Sequence, residues 1–201
     1  MGIWIGLGIV ALIIVAVLLL IISIYNKLVT LKNRFQNAFA QIEVQLKRRH
    51  DLIPALVETV KGYMAHEKET LQSVIEARNS AASLLKAASQ SPGDQSAMTA
   101  LAGAQNTLTS AMGGLMAVME AYPDLKADTQ MTALQEELTS TENKVAFSRQ
   151  SYNDSVTNYN TTRQSFPTVI VAPIFGHAKD AAFLEFEDSA QIQQAPEINI
   201  N

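Results

Sequence analysis

Residues 3–24 are almost wholly apolar, reading IVALIIVAVLLLII through their centre, and no charged side chain occurs before Lys27. As a helix, twenty-two residues span about 33 Å, which matches a bilayer hydrocarbon core of about 30 Å. Trp4 and Tyr25 stand at its two ends, where amphipathic rings favour the membrane interface. A cleaved leader would carry a basic start, a shorter apolar run and small residues before the cut. This run has no basic start, is longer, and ends in Ser23-Ile24-Tyr25. It is also uninterrupted by polar residues, unlike a buried core helix. Residues 1–25 are therefore expected to be a permanent transmembrane anchor. Gly2 and Gly6 form a small-xxx-small pair at its far end, a weak sign of helix dimerisation.

The charge distribution orients the anchor. Between residues 25 and 50, Lys27, Lys32, Arg34, Lys47, Arg48 and Arg49 face one anion, Glu43, for a net +5; the rest of the chain sums to −9. Lys27, Lys32 and Arg34 form a membrane-proximal basic collar. Each cation near an anionic surface contributes about 1 kcal/mol. The positive-inside rule places the N-terminus outside and the folded domain in the cytoplasm. The acidic body speaks against nucleic-acid binding. The absence of cysteine excludes disulfides and thiolate chemistry.

Beyond the anchor the composition is rich in Ala, Gln, Ser, Thr and Glu and poor in aromatics, which predicts an all-α domain over residues 26–165. Leu28, Leu31, Phe35, Ala38, Ile42 and Leu46 recur at helical spacing directly out of the anchor, with no Gly or Pro to residue 50. A second stretch, residues 52–88, opens at Asp51 as N-cap with Pro54 in its first turn. Alternatively the first two stretches are one rod kinked at Pro54. That alternative relieves a conflict of length, because a full return of the second stretch would run into the bilayer. Ser89-Gln-Ser-Pro-Gly-Asp94 is a turn; a third stretch, residues 95–121, is rich in Ala and Gly; Pro123 ends it and Asp124 caps a fourth, residues 125–164. Short connections predict an up-and-down bundle of four helices, or three with the Pro54 kink. Residues 166–201 lack helical period and read as a short extended tail, with alternation at Pro196-Glu-Ile-Asn-Ile-Asn201. The tail either covers an end of the bundle or docks another copy.

The residues Tyr25-Asn26-x-Leu28-Val29-x-Leu31, Asn37-Ala38-Phe39-x-Gln41-Ile42-Glu43-Val44-Gln45-Leu46-Lys47-Arg48-Arg49 and Asp51-Leu52-Ile53-Pro54 resemble the LemA family of bacterial membrane proteins. So do Val57-Glu58-Thr59-Val60-Lys61-Gly62-Tyr63, Ala77-Arg78, Tyr122-Pro123-Asp124-Leu125, Thr141-Glu142-Asn143-Lys144-Val145-Ala146-x-Ser148-Arg149, Tyr152-Asn153 and Tyr159-Asn160. Ser148 stands where Ala is more usual. The resemblance implies an N-terminal transmembrane helix, a small extracellular N-terminus and a helical bundle in the bacterial inner membrane. It implies no reaction. One relative takes part in building magnetosome membranes, and LemA genes often neighbour a membrane metalloprotease.

No motif carries chemistry. His50, His66 and His177 share no helix face and form no HExxH pattern, so they read as solvent-exposed or interfacial. Glu136-Glu137 and Glu67 with Glu69 read as solvated faces. Neither a phosphate loop nor a nucleophile elbow occurs. No catalytic, metal or cofactor residue and no small-molecule substrate is expected. Glu142 and Arg149, seven apart, share a face beside the apolar stripe. With Asn153 and Asn160 and with Arg78 or Glu58 as partners, they read as an internal polar network or, second, a docking site. The expected function is a non-catalytic, homo-oligomeric scaffold of membrane organisation; the alternative is an adaptor of a membrane metalloprotease in envelope quality control.

Overall fold

A computed structural model describes residues 1–64 and 66–186. All regular elements among them are helical: α1 (Gly2–Lys61), α2 (Lys68–Gln90), α3 (Gln95–Met119), α4 (Pro123–Lys126), α5 (Thr129–Gln164), α6 (Thr168–Val171) and a 3-10 turn, Ala172–Phe175. The alternation at 196–201 lies outside the described residues.

Helix α1 is a single rod of 60 residues, about 90 Å long. Its side chains are exposed as far as Leu20, and its inner face is then buried from Leu28 to Val60. There is no turn at Asp51, so of the two readings of Pro54 the continuous rod holds. The second stretch divides instead after Lys61, with α2 beginning at Lys68 and Met64 between them tucked fully into the core. The conflict of length disappears. From residue 26 to Lys61 is 36 residues, the length of α5, so α5 descends about 54 Å to the level where the exposed apolar run of α1 ends.

The bundle runs up, down, up, down. Its apolar interior forms two clusters. The lower one joins Leu28, Phe39 and Leu46 to Leu85, Met98, Tyr152 and Val156. The upper one joins Ile53, Val60, Leu71, Leu108, Leu115 and Leu138. Asp94 caps α3 by accepting from Ala97 N–H at 3.0 Å. Helix α5 is capped by Asp128 rather than Asp124: its carboxylate accepts from the N–H groups of Gln130 (2.8 Å) and Met131 (3.0 Å), and from Tyr63 Oη at 2.9 Å. Asp124 falls within α4. Gly103, Gly113 and Gly114 have open space where a Cβ would stand, so they do not serve close packing inside the bundle.

The β-branched run after Phe166 is helical rather than extended. With no strand beside it among the described residues, its backbone closes locally, Val169 N–H donating to Ser165 O at 2.9 Å. Gly176, at φ +81°, ends the 3-10 turn, and the chain then climbs back beside α5. Gly93 also needs its hydrogen. At φ +88°, an added Cβ would lie 3.0 Å from the Phe35 ring and 3.2 Å from Ala181 Cβ. Gly93→Ala is expected to cost about 2 kcal/mol, from left-handed backbone strain plus displacement of Phe35, read as a lowered urea midpoint.

Candidate functional site

Two polar constructions stand out against the apolar interior. The first is a layer between the two core clusters. Three of the four long helices place buried polar residues in their apolar stripe there, Arg49 and His50 between Leu46 and Ile53, Gln105 between Leu101 and Leu108, and Thr141 between Leu138 and Val145, while α2 keeps Ala77 in its stripe and adds the half-buried Arg78 beside it. Arg49 is buried, and its Nη2 donates to Glu142 Oε1 at 2.9 Å and to Thr109 Oγ1 at 3.2 Å. His50 is 2% exposed, with Gln105 Nε2 3.1 Å from its Nε2. The ring nitrogen there accepts from the amide, which is the arrangement of a neutral imidazole. Burial, with the nearby Arg49 and Arg78 charges adding to it, lowers the His50 pKa to about 4. The expectation of solvent-exposed or interfacial histidines thus fails for His50 and for His177, which is also buried; His66 is exposed.

The layer also explains why α1 passes Pro54 unbroken. Proline has no N–H to give the carbonyl four residues back, which is that of His50. Arg78 Nε supplies the missing donor, at 3.0 Å from His50 O, while Arg78 Nη2 lies 3.7 Å from Asp51. Arg78→Ala should cost roughly 2 kcal/mol by leaving that carbonyl unpaired. In a Pro54→Ala background the restored N–H takes over, and the cost should fall to well under half. A double-mutant cycle on chemical unfolding reads this directly.

The second construction is a strap. Residues 177–186 run extended along α5, held by a repeated dipeptide, Tyr152-Asn153 and Tyr159-Asn160, seven residues apart. The tyrosines pack on α1. Tyr152 stacks edge-on to Phe39 and Phe35, and Tyr159 to Phe35 at 5.2 Å. The asparagines stand one position further round and treat the strap as a strand neighbour would. Asn160 Nδ2 donates to Ala181 O and its Oδ1 accepts from Ala181 N–H, both at 2.9 Å. Asn153 does the same with Leu184, at 3.1 and 3.0 Å. Tyr152 Oη donates to Ala182 O at 2.7 Å, Tyr159 Oη lies 2.9 Å from His177 Nδ1, and Ala182 N–H reaches Gly93 O at 2.8 Å. Arg163 Nε pairs with Asp180 at 2.7 Å, and the Arg149 guanidinium lies 4.6 Å above the Phe186 ring.

The expected polar set is therefore divided. Glu142 joins the layer through Arg49, as Arg78 does through His50. Arg149, Asn153 and Asn160 belong to the strap. Glu58 is in neither; it is exposed and pairs with Lys61 at 3.4 Å. Lys27, Lys32 and Arg34 are all exposed just above the apolar run. Among the described residues no three His, Asp or Glu side chains converge as metal donors. The layer and the strap are closed constructions that fix helix register and tie the chain end to the bundle.

The family model described as LemA family matches residues 38–200. The chain is similar to magnetosome protein MamQ of Magnetospirillum gryphiswaldense, 26% identical over 179 residues, covering 80% of this chain and 65% of that protein. It is also similar to protein LemA of Metamycoplasma hominis, 26% identical over 147 residues, covering 73% and 63%. Magnetosome protein MamQ 2 of Paramagnetospirillum magneticum matches at 26% over 190 residues, covering 86% and 69%. The matched regions thus take up about two thirds of these relatives' lengths.

Proposed function

This chain belongs to the LemA family, and from that premise we propose that it is a non-catalytic scaffold, anchored by one transmembrane helix in the bacterial inner membrane, that assembles with copies of itself to organise the bilayer. The observation that carries the reading is the continuity of α1. One unbroken helix is exposed on every side through Leu20, where it is apolar all round, and buried on one face where it is amphipathic. A rod of that kind transmits no slack between bilayer and bundle. The basic collar supports a cytoplasmic bundle, with Lys27, Lys32 and Arg34 at the anionic leaflet and the N-terminus outside. The outward-facing Gly103, Gly113 and Gly114 of α3 and the exposed Phe147 support lateral assembly. The MamQ relatives are named magnetosome proteins; what is carried over to this chain is the organising of a membrane.

Crosslinking in intact membranes tests the proposal. The native chain has no cysteine, so Gly113→Cys and Phe147→Cys each give a unique handle. Copy-to-copy disulfides at one or both positions are expected. A chain that stays monomeric in native lipid would contradict self-assembly, and exclusive capture of a membrane metalloprotease would replace the scaffold with an adaptor.

A further inference from the structure

Residues 165–176 carry no charged side chain, and the segment presents apolar groups on both sides. Val171 and Ala172 fill the lower end of the core. Phe166 (81% exposed), Ile170 (61%) and Ile174 (75%), with Val169 and Phe175, face away from it. A turn at the end of a water-soluble bundle has no use for five large exposed apolar side chains; such a patch marks a surface that something covers. The position of this patch identifies what. The Phe175 ring packs on Tyr25 at 5.5 Å, where the anchor leaves its apolar run. Among the first 24 residues only Ile21 and Ile24 are partly shielded by protein, and Ile24 packs into the lower core cluster that Ala172 completes. The patch thus begins at the level where the apolar run ends. Above it, Lys32 and Lys179 line one shallow cleft, whose two carboxylates are already engaged, Asp180 with Arg163 and Asp94 as the cap of α3.

We propose that residues 166–175 are a second membrane contact, a short apolar foot seated in the headgroup–acyl boundary of the same bilayer that α1 crosses. The inference rests on the reading of α1 as a membrane span. The occupant follows from continuity: apolar surface on the foot adjoins apolar surface on the anchor, with exposed lysines immediately above, the order of chemistries that interfacial segments show. Together, anchor and foot fix the rotation of the bundle about α1 as well as its height, so that one defined side of the rod faces along the membrane.

The test places a polarity-sensitive fluorophore on single cysteines in the full chain, reconstituted in vesicles of phosphatidylcholine and phosphatidylglycerol. The sites are Ile170→Cys and Ile174→Cys in the foot, Leu18→Cys in the anchor and Val44→Cys on the exposed bundle surface. All are exposed, and unchanged helicity confirms folding. Lipids spin-labelled near the headgroup should quench the foot probes at least roughly threefold more than Val44, while lipids labelled deep in the acyl chain quench Leu18. Foot probes quenched no more than Val44, with Leu18 quenched, would overturn the foot and leave the span intact. Disulfide dimers through Ile170→Cys without lipid quenching would assign the patch to a second copy and overturn it as well. An unquenched Leu18 would remove the span first and the foot with it.

Discussion

Replacing Asn153 and Asn160 together by alanine is expected to lower the unfolding midpoint by about 10 °C and to open the chain to trypsin at Lys179. Each asparagine amide satisfies one backbone N–H and one C=O of the strap, and the Asn160 pair is buried. Truncation leaves four backbone groups without these partners. A buried group stripped of its partner costs about 1–3 kcal/mol, and the half-buried Asn153 pair lies at the low end. A total near 4 kcal/mol follows, and for a chain of this size each kcal/mol moves the midpoint by about 2–4 °C. Asn160→Asp keeps the acceptor and loses the donor, so it should fall between wild type and Asn160→Ala. Tryptic cleavage at Lys179 unchanged in the double variant would show that the tyrosines and Arg163 hold the strap without the amides.

Acid is expected to weaken the bundle through His50. The buried imidazole is neutral in the folded state, with its pKa lowered from 6.5 to about 4 by burial first and then by Arg49 and Arg78. Between these values the unfolded chain binds the proton and the folded chain does not. Stability is therefore unaffected above pH 6.5, falls as the pH drops from 6.5 to about 4, and loses nothing more from this group below that. The full loss is on the order of 3 kcal/mol. The buried His177 is shifted the same way by burial and by Lys32, so the whole chain will show a larger slope than His50 alone. His50→Gln isolates the contribution. Chemical unfolding at neutral and mildly acid pH should show the variant losing distinctly less stability than the wild type. Equal losses in both would mean that the layer admits water or a proton without strain.

The parts of this fold that were legible in the sequence are those governed by period and punctuation. The long exposed apolar start of α1 is visible because twenty-two apolar residues run without interruption, and the turn after α2 because Ser-Pro-Gly-Asp leaves that helix no way to continue. Pro54 was ambiguous because the outcome depends on a donor twenty-four residues away: only Arg78 at His50 O makes the proline tolerable inside α1. The break between α1 and α2 was hidden for a related reason. Leu56, Val60, Met64 and Leu71 keep helical spacing on paper, yet Met64 reaches the core from a turn.

The polar layer did leave a signal. A buried polar residue at a stripe position in three of the four long helices marks one level of the bundle, but seeing that requires aligning the helices first. The Tyr-Asn repeat at a spacing of seven was likewise in plain view. Its meaning depended on an extended strap that has no period of its own. Glu142 and Arg149 share a face, as expected, but their partners come from different elements, Glu142 meeting Arg49 of α1 and Arg149 meeting Phe186 of the strap.

Extraction of intact membranes with alkaline carbonate, followed by sequencing of the mature N-terminus, bears most directly on the claim that α1 crosses the bilayer and continues as the bundle's spine. The full chain should remain in the pellet with residues 3–24 still attached. Release into the supernatant, or a mature chain beginning beyond Ile24, would contradict it.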